Sequence, residues 1–183
     1  ERCAMDKEII RPCADCGVAG CKRQTSEGRP PFCLTEHMDK QAMDEAMEAY
    51  HEAENHRVMT TAADVEYEGY CRWTRIREIV EFARRMGYRK LGIATCVGLL
   101  HEARIAAGIL RSHGFEVYGA ACKAGAVRKT AVGIAPECES IGPNMCNPIL
   151  QAKLLNKQGT ELNIVVGLCV GHDSLFYKYS HAL

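Results

Sequence analysis

The stretch Leu162-Asn-Ile-Val-Val-Gly-Leu-Cys-Val-Gly-His-Asp-Ser-Leu-Phe176 decides the fold. Its apolar run over Ile164–Leu168 stops abruptly at Cys169, Gly171, His172 and Asp173. A short run that is apolar on both pleat faces reads as a central parallel strand covered by helices, and Gly171-His172-Asp173-Ser174 supplies a tight turn and helix-start residues. Cys169 is therefore expected at a strand's carboxyl end and a helix's amino end. The same device occurs in Leu91-Gly-Ile-Ala-Thr-Cys-Val-Gly-Leu-Leu100, where Cys96-Val97-Gly98 repeats Cys169-Val170-Gly171. Two such turns on one sheet are expected to face each other.

Working outward, strand Lys90–Thr95 leads into helix Leu99–Ser112, which stops at Gly114, and strand Phe115–Ala121 ends at Cys122. This is a right-handed βαβ crossover. Residues Lys123 to Met145 form a polar, Gly- and Pro-bearing connection longer than most, of the kind that is usually functional or mobile. Cys146 follows, then Asn147-Pro148 as N-cap and first helical residue, helix Ile149–Lys157 and the stop Gly159. Upstream, one amphipathic helix is expected from Thr35, its N-cap, to about Arg57. A second is expected from about Thr61 to Met86, kinked at Gly69 and capped by Gly87. Arg72, Arg75, Arg77, Arg84 and Arg85 alternate with Glu78 and Glu81, which reads as a solvated, salt-bridged face rather than an anion site. The fold class is α/β: a Rossmann/flavodoxin-like three-layer parallel sheet with a helical lead-in (38–183), preceded by a cysteine-rich knuckle (1–37).

The chain of 183 residues is 47% hydrophobic, enough for one good core plus a small appendage. Lys+Arg and Asp+Glu are equal at 23 each, which argues against a nucleic-acid or membrane footprint and for a small partner. No apolar run approaches the roughly 18 residues that would cross a bilayer, and nothing at the start resembles a signal peptide, so a cytoplasmic setting is expected. The sequence begins at Glu1 rather than Met and leaves open what precedes it. Eleven cysteines are a heavy load for a reducing compartment and point to metal or redox chemistry. Cys3, Cys71 and Cys138 match no ligand pattern and read as small buried hydrophobes.

Cys13-Ala-Asp-Cys16-Gly-Val-Ala-Gly-Cys21, a Gly/Pro loop and Cys33 make a knuckle with a return ligand. A Cys-x-x-Cys pair can bind one ion from a tight turn, and Gly17 and Gly20 let the backbone fold before Cys21 and Cys33 close the shell. Four thiolates suit zinc or a 4Fe-4S cluster, and the spacing does not choose between them. A redox Cys-x-x-Cys is the rival, but that motif normally follows a strand and opens a helix.

With strand order 2-1-3, the first and third strands are neighbours and the crevice between their carboxyl ends is the topological switch point, where open α/β sheets bind ligands. Cys96 and Cys169 would flank it, Cys122 would sit one strand over, and Cys146 would present from the loop. Backbone N–H groups at such turns stabilise anionic sulfur and suit an iron–sulfur cluster better than a structural zinc. If only three ligate, an open iron could bind a sulfur- or oxygen-bearing substrate, with His172 or Asp173 as proton donor or acceptor.

Cys13-Ala-Asp-Cys16 with Cys21 and Cys33, Ala63-Asp-Val-Glu-Tyr-Glu-Gly-Tyr70, Arg75-Ile-Arg-Glu-Ile79, Met86-Gly-Tyr-Arg-Lys-Leu-Gly-Ile-Ala94, Met145-Cys-Asn-Pro-Ile149, the run from Leu154 to Phe176 and Lys178-Tyr-Ser180 together carry a resemblance. The chain resembles, over nearly its whole length, an uncharacterised family of cysteine-rich proteins regarded as metal-binding, from anaerobic bacteria and archaea. The resemblance implies metal ligation at Cys13, Cys16, Cys21 and Cys33, an anaerobic cytoplasmic setting and no established activity. It also implies a further strand after Lys178-Tyr-Ser180, whereas this chain stops at Leu183. A weaker likeness, at the level of fold alone, is to sulfur-removing enzymes that hold a cubane on three cysteines beside a Rossmann-like domain.

The expected function is that of a metal-binding, iron–sulfur protein of redox or sulfur-handling metabolism, with a small-molecule substrate or an electron-transfer partner. The alternative is a zinc-stabilised α/β module that binds a small ligand or peptide in the crevice without catalysis.

Overall fold

The computed structural model describes residues 13–183; Cys3 lies outside them. The chain divides into two compact units, one ending at His56 and one spanning Arg57–Leu183. Among the described residues no helix is long and apolar enough to cross a membrane.

In the first unit, Lys40–His51 forms α1. Its N-cap is Asp39, whose side chain accepts from Ala42 N, rather than Thr35 as the sequence suggested. A second helix, α2 (Ala53–Gly69), follows after a break at Glu52.

The expected kinked helix from Thr61 to Met86 is instead two helices, α2 and α3 (Arg75–Arg85). A Cβ on Gly69 would fall 2.7 Å from Cε3 of Trp73, so the glycine lets the indole fold back over the helix end. The chain then turns through Cys71 at a positive φ of 55° and restarts with Thr74 as N-cap. The arginines of this segment are engaged: Arg85 grips Glu68 through two hydrogen bonds of 3.0 and 2.7 Å, Arg75 pairs with Glu78, and Arg77 lies over the Trp73 ring.

The α/β core contains β1 (Lys90–Thr95), α4 (Leu100–Ser112), β2 (Glu116–Ala121), α5 (Pro148–Gln158), β3 (Leu162–Val166) and α6 (His172–Tyr179). All pairings are parallel and the strand order is β2-β1-β3, with Leu91 opposite both Val117 and Leu162. Period-two alternation of side chains splits the core between the two faces of the sheet. Leu91, Ile93 and Val117 pack with Val80 and Ala83 of α3 and Ala103, Ala107 and Leu110 of α4. Ala94 packs with Ala152 and Leu155 of α5 and Phe176 of α6. Helices therefore cover both faces.

The central strand is β1, not the Ile164–Leu168 run. Every residue of β1 after Lys90 is buried, whereas β3 is half-buried throughout and ends at Val166. Continuous apolarity did not distinguish two covered faces from a central position, because an edge strand between two helical layers shows the same pattern. Close approach at the centre depends on Gly92: a Cβ there would lie 2.0 Å from Asn163 Oδ1 and 2.9 Å from Leu155 Cδ1.

The long 123–145 connection is folded upon itself. Arg128 and Asn144 form an antiparallel bridge, Lys123 Nζ donates to Asn144 O at 2.6 Å, and Arg128 pairs with Glu139. Lys129, buried, spends its ammonium on the Cys138 carbonyl.

At the opposite end of the sheet, Glu161 Oε2 accepts from Arg89 N (2.7 Å) and Lys90 N (2.9 Å), while Glu161 N donates to Lys90 O. Those two N–H bonds hold its carboxyl below the usual range. A depressed folded-state pKa means that the stabilisation is present above the unfolded carboxyl value and is lost as pH falls through the folded one. Glu161→Gln is expected to cost about 1 kcal/mol near pH 7, a figure kept low because the group is exposed. Urea unfolding should show that difference shrinking as pH falls through the folded-state value and both side chains become neutral; a difference that persists in acid would contradict the assignment.

Candidate functional site

The knuckle starts with a short turn, Cys13–Asp15, closed by Cys16 N donating to Cys13 O, and continues through a second turn, Gly20–Lys22. Ala19 takes up a left-handed conformation between them, and Gly20 sits where a Cβ would meet Arg29 Cγ at 2.9 Å. Arg29 braces the loop, donating to Glu36 Oε1 at 2.5 Å and Arg23 O at 2.9 Å. The result is a cavity of about 200 Å³ lined by Cys13, Cys16, Cys21 and Cys33, with Phe32 and Leu34 among its apolar walls. All four are free thiols. Burial pushes the Cys33 thiol up, but hydrogen bonds from Thr35 and Glu36 and the nearby Arg29 guanidinium outweigh it and leave it below the ordinary value. Thr35 thus serves the sulfur and not a helix start. Among the described residues no three Cys, His, Asp or Glu side chains converge so as to hold a metal ion.

At the carboxyl ends of the strands the backbone forms a continuous ladder. Cys96 N donates to Val166 O, Cys122 N to Thr95 O, and Asn147 N to Cys122 O at 2.7 Å. The residues following β1, β2 and the long loop are thereby fixed side by side. The Cys122 sulfur, 3% exposed, accepts from Val97 N at 3.3 Å, so the first Cys-Val-Gly turn is folded onto it. Burial pushes the Cys122 thiol up to about 11; the Val97 N–H opposes the rise, while the neighbouring Cys146 and then Cys96 thiols add to it. Cys96 and Cys146 are both partly exposed.

Gln151 holds this arrangement. It is fully buried on α5, and its Nε2 donates to Thr95 O at 3.1 Å and Ala120 O at 2.6 Å, tying the ends of β1 and β2 to one helix. Its Oε1 has no partner. α5 itself starts immediately after Cys146, with Asn147 Oδ1 accepting from Leu150 N. Sequence reasoning missed both Gln151 and the Val97 N–H. The signal for the former was a lone amide on a helix face otherwise carrying Ala152 and Leu155.

Cys96, Cys122 and Cys146 stand on the side-by-side segments that follow β1, β2 and the long loop; Cys169 is the fourth strand-end cysteine. It follows β3, the neighbour of β1, and its carbonyl accepts from His172 N and Asp173 N at the start of α6, with its side chain exposed. The two Cys-Val-Gly loops meet through Leu99 and Gly167: Gly167 has φ 64°, and a Cβ there would lie 2.2 Å from Leu99 Cδ1. Asp173 accepts from the N–H of Ser174 at 2.7 Å, and His172 carries a buried Nδ1 without a partner. Cys71 and Cys138 are exposed, not buried as the sequence suggested. A cavity of about 580 Å³ between α2, α3 and the start of β3 includes Cys71, but its only charged groups, Glu66, Arg75 and Glu78, include the Arg75–Glu78 ion pair. It lies at the end of β3 opposite the cysteine crevice.

Residues 33–183 match a family described as "Protein of unknown function (DUF1847)". The chain belongs to this family. The DUF1847 match takes in Cys33 and every strand-end cysteine and begins after Cys13, Cys16 and Cys21. An uncharacterised protein of Methanocaldococcus jannaschii, MJ0455, is 46% identical over 136 residues, covering 74% of this chain and 70% of its own. No solved structure matches.

Two substitutions test how the DUF1847 crevice is held. Gln151→Leu keeps the volume but removes the amide's two hydrogen bonds to the Thr95 and Ala120 carbonyls, Thr95 O keeping its bond from Cys122 N, at an expected cost of about 1–3 kcal/mol. Urea unfolding should show that loss, and Cys122 alkylation in the native protein should accelerate; unchanged stability and unchanged Cys122 protection would refute the clamp. Gly167→Ala meets both a left-handed backbone and the Leu99 side chain, and is expected to lower stability by about 1–3 kcal/mol. A thermal midpoint equal to that of the unsubstituted protein would show that the two loops are not in contact.

Proposed function

We propose that this DUF1847 protein is a cytoplasmic metal-binding protein of anaerobic metabolism, built on a Rossmann/flavodoxin-like domain, in which the knuckle holds an iron–sulfur cluster and the strand-end thiols carry redox or sulfur-handling chemistry. The observation that supports it is that Cys13, Cys16, Cys21 and Cys33 line one small cavity. Four soft donors with N–H groups directed at one of the sulfurs are the donor set that cubane clusters and zinc both select. Bound there, such a cluster would supply one-electron chemistry, and the chain's contribution is the four thiols and the donors around Cys33. Partners consistent with the crevice are a small sulfur-bearing molecule or an electron-transfer protein.

Anaerobic purification followed by iron, sulfide and zinc analysis tests the proposal. A coloured protein with stoichiometric iron and sulfide is expected, and Cys16→Ser should lose it. A colourless protein with one zinc would replace this reading with the zinc-stabilised binding module. The single tryptophan, Trp73, lies in the Arg57–Leu183 unit, so its fluorescence should stay native in Cys16→Ser while residues 13–34 lose protection from proteolysis. Undiminished metal content in that variant would reject the knuckle as the site.

A further inference from the structure

The three crevice thiols differ in a way that ligation does not require. Cys122 is buried, with its sulfur held by Val97 N–H, whereas Cys146 is partly exposed and sits at the start of α5. The Asn147 N to Cys122 O bond of 2.7 Å holds the residue after Cys146 against Cys122, and the Cys146 thiol is among the neighbours that act on the Cys122 sulfur. An accessible thiol at a helix start beside a buried one is the division of labour that thiol–disulfide exchange needs: the first is attacked from solvent or attacks, and the second resolves.

We propose that Cys122 and Cys146 form a reversible dithiol/disulfide pair that exchanges electrons with low-molecular-weight disulfides, with Cys146 as the attacking sulfur and Cys122 as the resolving one. The pairing deepens the redox reading of the crevice and does not depend on what the knuckle binds.

The Cys146 thiolate attacks one sulfur of the incoming disulfide, RSSR. A Cys146–S–SR bond forms, the RS–SR bond breaks, and the released thiolate takes up a proton as RSH. Cys122 then loses its proton, its sulfur displaces the second RS group from Cys146, and a second RSH leaves. Two electrons and two protons pass from the protein to RSSR, leaving a Cys122–Cys146 disulfide. In the reverse direction a thiol attacks Cys146, and Cys122 departs as a thiolate toward the Val97 N–H. Burial makes that thiolate costly, so Cys122 is a poor leaving group and the reverse step is the slower one. Cys96 stands close enough to compete for the same sulfurs, which makes the pairing itself the point at issue.

The test uses the full chain, purified anaerobically, reduced, and then exposed to oxidised glutathione. Cys138 and Cys146 share a tryptic peptide, so the mapping is done in a Cys138→Ser background, Cys138 being exposed and outside the crevice. Mass spectrometry should find the Cys122 and Cys146 peptides linked, with the link removed by dithiothreitol. Cys122→Ser should leave Cys146 carrying one glutathionyl group, and Cys146→Ser should leave Cys122 unmodified. The decisive result comes from Cys138→Ser protein in which Cys96, Cys122 and Cys146 are all unsubstituted. Absence of a linked peptide, or linkage of either cysteine to Cys96, overturns the proposal. So does Cys16→Ser protein that retains stoichiometric iron and sulfide with Cys122 and Cys146 protected, because the crevice would then hold a cluster. Metal analysis of the same preparation keeps the outcomes apart: loss of the knuckle reading leaves the disulfide result standing, and the reverse.

Discussion

One buried amide governs the geometry of the crevice. Gln151 places both hydrogens of its Nε2 on main-chain carbonyls of different strands, Thr95 on β1 and Ala120 on β2. Those carbonyls lie next to the residues from which Cys96 and Cys122 project, and the helix bearing Gln151 begins immediately after Cys146. A helix packed on a sheet by apolar contacts alone can slide, since dispersion and burial have no direction. Two hydrogen bonds in a dry interior fix both its register and its distance. The spacing of three thiols from three segments is thereby set by a residue that need not touch any of them.

Much of this architecture was legible in the chain because it rests on local rules. Glycines at strand ends, the Asn147-Pro148 helix start and the strand–turn–helix rhythm gave the parallel sheet, its β2-β1-β3 order and the element limits to within a few residues. The errors share a physical origin. Whether Ile164–Val166 is central, whether Gly69 bends or ends a helix, and whether Asp39 or Thr35 caps α1 depend on what packs from elsewhere. At Gly69 the answer is the indole of Trp73. Pattern within one segment carries no information about its neighbour.

The cysteines illustrate the same limit. Repetition of Cys-Val-Gly suggested that Cys96 and Cys169 were counterparts, and Cys122 looked peripheral because it followed an edge strand. In the folded chain Val97 of the first tripeptide turns its N–H onto the Cys122 sulfur, and the far end of the loop returns to Cys122 through the Asn147 N–H. The four knuckle cysteines fall within a short span and line one cavity, because loop closure over so few residues confines them whatever the remainder of the chain does.

The connection between Cys122 and Cys146 also has an evolutionary meaning. Its two ends are held together by the Arg128–Asn144 bridge and the Lys123 ammonium on the Asn144 carbonyl, while the strand and helix on either side are anchored independently. A loop tethered at its neck behaves as a cassette: insertions, deletions and new side chains within it leave the framework beneath undisturbed. Diversification of what this fold receives at its thiol edge can therefore proceed by rewriting residues 130–142, with the cost borne by the cassette and not by the core.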